Sequence, residues 1–139
     1  MSIFLNNKVG FKIATVDLSD HVTTFTLNRV SDQLEVTAMG DTSHKFVSGL
    51  SADTITVSFL NDTAAGSVLA TLQAAYGTTV AFSALQDTDA AVSATNVLYT
   101  GTILVDNLTD INGATSDEAM IDVTFTCNSK TDVATTGTF

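Results

Sequence analysis

Four stretches of this chain alternate apolar and polar residues with a period of two, and that alternation restricts the fold more than any other feature. In His21–Arg29, Thr23, Phe25 and Leu27 oppose Val22, Thr24, Thr26 and Asn28. In Gln33–Ala38, Leu34, Val36 and Ala38 oppose Gln33, Glu35 and Thr37. In Thr54–Phe59, Ile55, Val57 and Phe59 oppose Thr54, Thr56 and Ser58. In Ala119–Cys127, Ile121, Val123 and Phe125 oppose Asp122, Thr124 and Thr126. Side chains of a strand point alternately to its two faces, so each stretch predicts a strand with one dry face and one wet face. The β-branched content agrees. Further strands are predicted at Val9–Val16, Thr79–Leu85 and Val97–Val105.

One segment has the period of a helix. Asp62 is placed to cap its start, and Ala65, Leu69, Leu72 and Tyr76 follow at helical spacing. Gly77 is placed to end it in a left-handed conformation. A single apolar stripe predicts a helix lying on a sheet. The fold class is therefore mainly β, a two-sheet β-sandwich or open barrel with one flanking helix. Turns are predicted at Val30-Ser31-Asp32, across Gln86–Thr95 and at Asn112-Gly113, the last as a tight hairpin turn. Gly49 and Asp53 before one strand echo Gly113 and Asp117 before another, which is a faint internal repeat or simply shared turn chemistry.

The chain has 139 residues, the length of one domain, so residues 1–139 are read as a single unit. Residues 1–7 and 129–139 are read as N- and C-terminal arms, frayed or pinned by a neighbouring copy. Charged residues make up only 14% of the chain while hydrophobic ones make up 45%, and the apolar residues are interleaved with Thr and Ser. Either much of the surface is buried in an assembly, or this is a Thr-rich sandwich poor in charge. Pro, a usual guard of edge strands, is absent.

The formal net charge is −10 and only five residues are Lys or Arg, too few to grip many phosphates. An acidic surface is compatible with DNA sliding past without sticking. The N-terminal apolar run is too short for a signal peptide, and no run is long enough to span a bilayer. Cys127 is the sole cysteine, which excludes an internal disulfide and a cysteine-based metal cluster. With His21 and His44 as the only histidines, no spacing supports a catalytic triad. Leu108–Ala119 lacks the end carboxylates of a calcium loop. No enzyme activity, cofactor or metal is expected.

The segment Met39, Gly40, Asp41, Thr42, Ser43, His44, Lys45, Phe46, Val47, Ser48, Gly49 and Leu50 reads as a long polar loop between strands, more typical of a docking surface than of an active site. Glu35–Lys45, then Gly49-Leu50, then Ile55–Asp62 resemble the major tail (tail tube) protein of long-tailed, non-contractile bacteriophages. Asp17–Val22 and Ala90–Asn96 fit the same pattern, so the resemblance runs from about Val16 to Phe125.

The resemblance implies a structural virion protein. Hexameric rings would stack into a helical tube that delivers DNA, with strands of every subunit joined into a barrel. The Met39–Leu50 loop would reach the adjacent ring. Lys45, a rare base in an acidic chain, is itself expected to pair with a carboxylate of a neighbouring subunit. Asn28, Asp32 and Glu35 are the candidates to line the lumen. Implied partners are a tail terminator, a tape measure and a baseplate. Assembly would take place in the bacterial host cytoplasm, with no membrane involved. Two alternatives remain at this stage: the inner tube of a contractile tail or injection device, and a carbohydrate- or surface-binding β-sandwich that decorates virions.

Overall fold

The computed structural model describes residues 8–139. Ten strands and one α-helix follow in order, with a short 3-10 turn at Ser19–His21 between the second and third strands: β1 (Gly10–Ile13), β2 (Val16–Asp17), β3 (Val22–Asn28), β4 (Ser31–Glu35), β5 (Phe46–Ser51), β6 (Thr54–Leu60), α1 (Val68–Ala75), β7 (Thr79–Leu85), β8 (Leu98–Leu104), β9 (Met120–Cys127) and β10 (Asp132–Ala134). Eight strands form one antiparallel sheet in the order β2-β1-β7-β8-β9-β6-β3, with β10 also on β8. β4 and β5 form a separate two-stranded sheet.

The large sheet curls onto itself. β8 pairs with β10 through Leu98–Thr100 and with β9 through Ile103 and Leu104, so the path turns there. β1 and β3 lie far apart along the sheet, yet the rings of Phe11 and Phe25 sit 4.9 Å apart. Phe11 also meets Phe59 of β6 at 6.1 Å. Between the two halves lie Phe11, Ile13, Phe82 and Ile103 from one side and Ile55, Val57, Phe59, Ile121 and Phe125 from the other, all buried. Each such side chain contributes about 1.5–3 kcal/mol relative to exposure. This is the expected sandwich or open barrel.

Register follows the sequence alternation. Ile55, Val57 and Phe59 pair with Phe125, Val123 and Ile121 on the dry face. Thr54, Thr56 and Ser58 pair with Thr126, Thr124 and Asp122 on the wet face.

The helix begins later than its sequence signals predict. Ser67, not Asp62, is the N-cap residue, because Gly66 sits at φ +76° and interrupts any helix started upstream. Asp62 instead accepts a hydrogen bond from Ala64 N–H in the preceding loop. The buried stripe is Val68, Leu72 and Ala75, while Tyr76 lies outside the helix and is exposed. Gly77 does adopt the expected left-handed conformation, at φ +80°.

Four other local expectations change. The Val9–Val16 strand is split into β1 and β2 by a turn at Ala14 and Thr15, both at positive φ. The turn predicted at Val30-Ser31-Asp32 does not form, since Ser31 already opens β4. Asn112-Gly113 is not a hairpin turn but part of the irregular connection between β8 and β9. The internal echo dissolves, because Asp53 is buried and Asp117 is exposed.

Of the two expected arms, residues 1–7 lie outside the described residues. In the other, Asp132–Ala134 adds to this chain's own β8. Phe139 lies under Lys12, whose Nζ is 4.3 Å from the ring centre.

Candidate assembly surface

β4 follows β3 after two residues, and β5 precedes β6 after two. The β3–β6 pair therefore runs on as a second two-stranded ribbon that leaves the main sheet. β4 alone spans about 17 Å at the rise of a strand. Every β4 residue is exposed, and so is every β5 residue except Gly49. Among the described residues nothing covers this ribbon, although it and its tip carry Val30, Leu34, Val36, Met39, Phe46, Val47 and Leu50. Leu50 is 79% exposed and Met39 fully so. An isolated two-stranded hairpin is marginal in water, and one that shows apolar residues on both faces gains from a partner.

The register assigns those faces. Leu34 pairs with Val47, and Asp32 and Leu34 flank Gly49, so these residues share one face. Glu35 pairs with Phe46, and Gln33 with Ser48, so the other face carries Phe46, and a bulge before Ser51 breaks the alternation beyond Ser48. The expected single loop Met39–Leu50 is therefore corrected. Phe46–Leu50 belong to β5, because the β-favouring residues Phe46 and Val47 find partners in Glu35 and Leu34 of β4. Only residues 36–45 form the tip, and Val36 N–H still donates to Lys45 C=O (2.8 Å).

The tip holds its own charges. Lys45 Nζ pairs with Asp41 at 2.8 Å within this chain, where a neighbouring subunit's carboxylate was expected. That hydrogen bond from Lys45, with another from Ala38 N–H, lowers the pKa of Asp41. His44 pairs with Glu35, whose carboxylate also accepts from Thr37 Oγ1. Gly40 turns the chain at φ +93°.

The three lumen candidates do not form one cluster. Asn28 pairs with Thr54 on the wet face of the large sheet. That face continues through Thr24, Thr26, Thr56, Thr124, Thr126, Ser58 and Asp122. Asp32 and Glu35 lie on opposite faces of the ribbon.

Asp53 sits at the root of the ribbon and was not singled out by its sequence context beyond a turn position. It is 3% exposed. Its carboxylate accepts from Val30 N–H (3.1 Å) at the start of the ribbon and from Thr131 N–H (3.0 Å) before β10. Its own carbonyl accepts from Cys127 N–H (2.9 Å). Burial opposes its charge, but the hydrogen bonds from Thr131 and Val30 and the charge of Arg29 prevail and hold its pKa below the usual carboxylate value. Burial, followed by the nearby Asp53 charge, pushes the Cys127 thiol up, which makes it an inert core residue.

Elsewhere, His21 bridges Asp62 (3.0 Å) and Asp20 (3.3 Å), and no hydrogen bond joins it to Cys127. A cleft of about 880 Å³ opens beside β3, the last strand of the described sheet order, lined by Thr23, Phe25, Leu27, Gln86 and Tyr99 among others.

No family model matches the sequence, and no curated protein matches it. Solved structures do. A chain from the virion of a native gene transfer agent particle superposes with a TM-score of 0.70 at 10% identity, covering 95% of this chain and 99% of that one. The SPP1 tail tube, solved by solid-state NMR and cryo-EM, gives 0.70 at 12% identity, covering 90% of this chain and 76% of that one. The tail of an empty gene transfer agent particle, with C6 symmetry, gives 0.60 at 11% identity over 82% of each chain. The fold of this chain is thus shared with a chain of a gene transfer agent virion, with the SPP1 tail tube and with a gene transfer agent tail.

Proposed function

We propose that this chain is a structural virion protein, the repeating subunit of a tail tube through which DNA is delivered. The observation that carries the reading is the bare ribbon β4–β5, with apolar side chains on both faces and no cover among the described residues. A ribbon of this kind is completed by identical copies on either side, which a ring provides. Six subunits per ring and stacking of rings into a helix are supported by the shared fold, as is a place in the virion tail. The tip, residues 36–45, extends towards the next ring. The Thr-rich wet face of β3, β6 and β9, with Asn28 among its residues, lines the lumen. Its polar, base-poor character lets DNA pass without being held. Terminator, tape-measure and baseplate proteins would meet the tube at its ends, and assembly would take place in the host cytoplasm.

Negative-stain microscopy of the concentrated protein tests this. Tubes of stacked rings are expected, and a variant lacking Met39–His44 should fold but form none. A chain that forms no repeating assembly under any condition and holds no repeating position in a tail refutes the proposal.

A further inference from the structure

We propose that Asn112 is a site of spontaneous deamidation, a chemical clock in the connection between β8 and β9. The reaction needs an asparagine followed by a residue without a side chain, a free backbone N–H on that residue, and a chain loose enough to bend. Asn112-Gly113 is the single Asn-Gly pair in the sequence. Residues 105–114 belong to no strand or helix, and Asn112 and Gly113 are exposed beside Ile111, itself 94% exposed. No atom lies within 4 Å of where a Cβ on Gly113 would stand. Among the described residues no hydrogen bond is formed by Gly113 N–H, and the next backbone hydrogen bond along the connection is Asp117 N–H to Ala114 C=O.

Other asparagines are restrained. Asn96 Nδ2 donates to the carbonyls of Asp87, Ala90 and Ala91, Asn107 Nδ2 to Thr124 C=O, and Asn128 Nδ2 to Thr79 Oγ1.

The backbone nitrogen of Gly113 loses its proton to hydroxide and attacks Cγ of Asn112. A C–N bond forms, the Cγ–Nδ2 bond breaks, and the nitrogen leaves as ammonia after taking a proton from water. The resulting five-membered imide is opened by one water. Attack at Cγ gives aspartate, and attack at the backbone carbonyl gives isoaspartate, which carries the chain through the side-chain carbon. Only water is consumed and only ammonia is lost. The loop already holds Asp106, Asp110, Asp117 and Glu118, so each event adds a carboxylate to an acidic segment.

The test incubates the full chain at mildly alkaline pH and follows protease-derived peptides by mass spectrometry over days. The Asn112 peptide should convert to a mixture of aspartate and isoaspartate well ahead of the Asn107 and Asn128 peptides, and faster as pH rises. Gly113→Ala should slow it by an order of magnitude or more, and Asn112→Gln should abolish the new species. Conversion of Asn112 no faster than that of Asn107 and Asn128 overturns the proposal. So does a Gly113→Ala chain that converts at the unaltered rate.

Discussion

The β3–β6 pair and the β4–β5 ribbon are the same two lengths of chain, one continued into the other, yet they live under different physics. In the first pair Val57 and Phe59 of β6 are fully buried, and strand alternation is answered by a second layer. In the second, Leu34 and Val47 meet each other and then water, as does Phe46 beyond them. The difference shows that alternation in a sequence marks a face that needs covering, not where the cover is. For β6 it lies within the molecule. For β4 and β5 no described residue of the same chain supplies it, and the proposed tube assigns it to another copy.

That contrast can be broken at several points. Phe59→Ala should cost about 3–5 kcal/mol of monomer stability in a denaturant titration. Phe46→Ala should leave the monomer within about 0.5 kcal/mol of the parent while abolishing tube formation. A Phe46→Ala chain that unfolds like Phe59→Ala would show that the ribbon is packed in solution, and the contrast would fail.

Asp53→Ala strands the N–H groups of Val30 and Thr131 and should cost about 2–4 kcal/mol. Its diagnostic effect is local: amide exchange should speed up in Val30–Ser51 more than in β9. Equal acceleration throughout would remove Asp53 as the anchor of the ribbon.

Acid sharpens the same point. The folded-state pKa of Asp53 lies below its ordinary value of 3.8, so its contribution is fully present above that value and is lost as pH falls from it through the folded-state pKa. Stability should therefore be level near neutrality and drop in that acid window. Asp53→Asn should flatten the drop, which an acid titration followed by circular dichroism would detect.

The smallest effect concerns strain. The packed region tolerates Ala14 at φ +49° and Thr15 at φ +78°, whereas the bare tip uses Gly40 at φ +93°. Packing around β1 holds an unfavourable turn that the ribbon could not. Thr15→Gly should relieve about 1 kcal/mol and raise the melting temperature. No rise would mean that the turn relaxes in solution.

The sequence made the core legible because Ile55, Val57, Phe59, Ile121, Val123 and Phe125 combine period two with a second layer inside the same chain. β5 was hidden because Ser48-Gly49 breaks its pattern and its partner strand has no inward face to identify. The helix start was misplaced because Asp62 is a good cap by type, and only backbone geometry reveals that Gly66 interrupts. Asp53 was illegible as an anchor since its partners, Val30 and Thr131, are distant along the chain. The ribbon as a docking region was visible in outline, but its two faces required the register, which no residue type encodes.

Asp53 also joins the beginning of the ribbon to the corner between β9 and β10. A lever held at its fulcrum passes force on instead of swivelling. Displacement of the tip by a neighbour would therefore strain the far end of the chain near Thr131, and a subunit clasped on one side would present an altered C-terminal segment on the other.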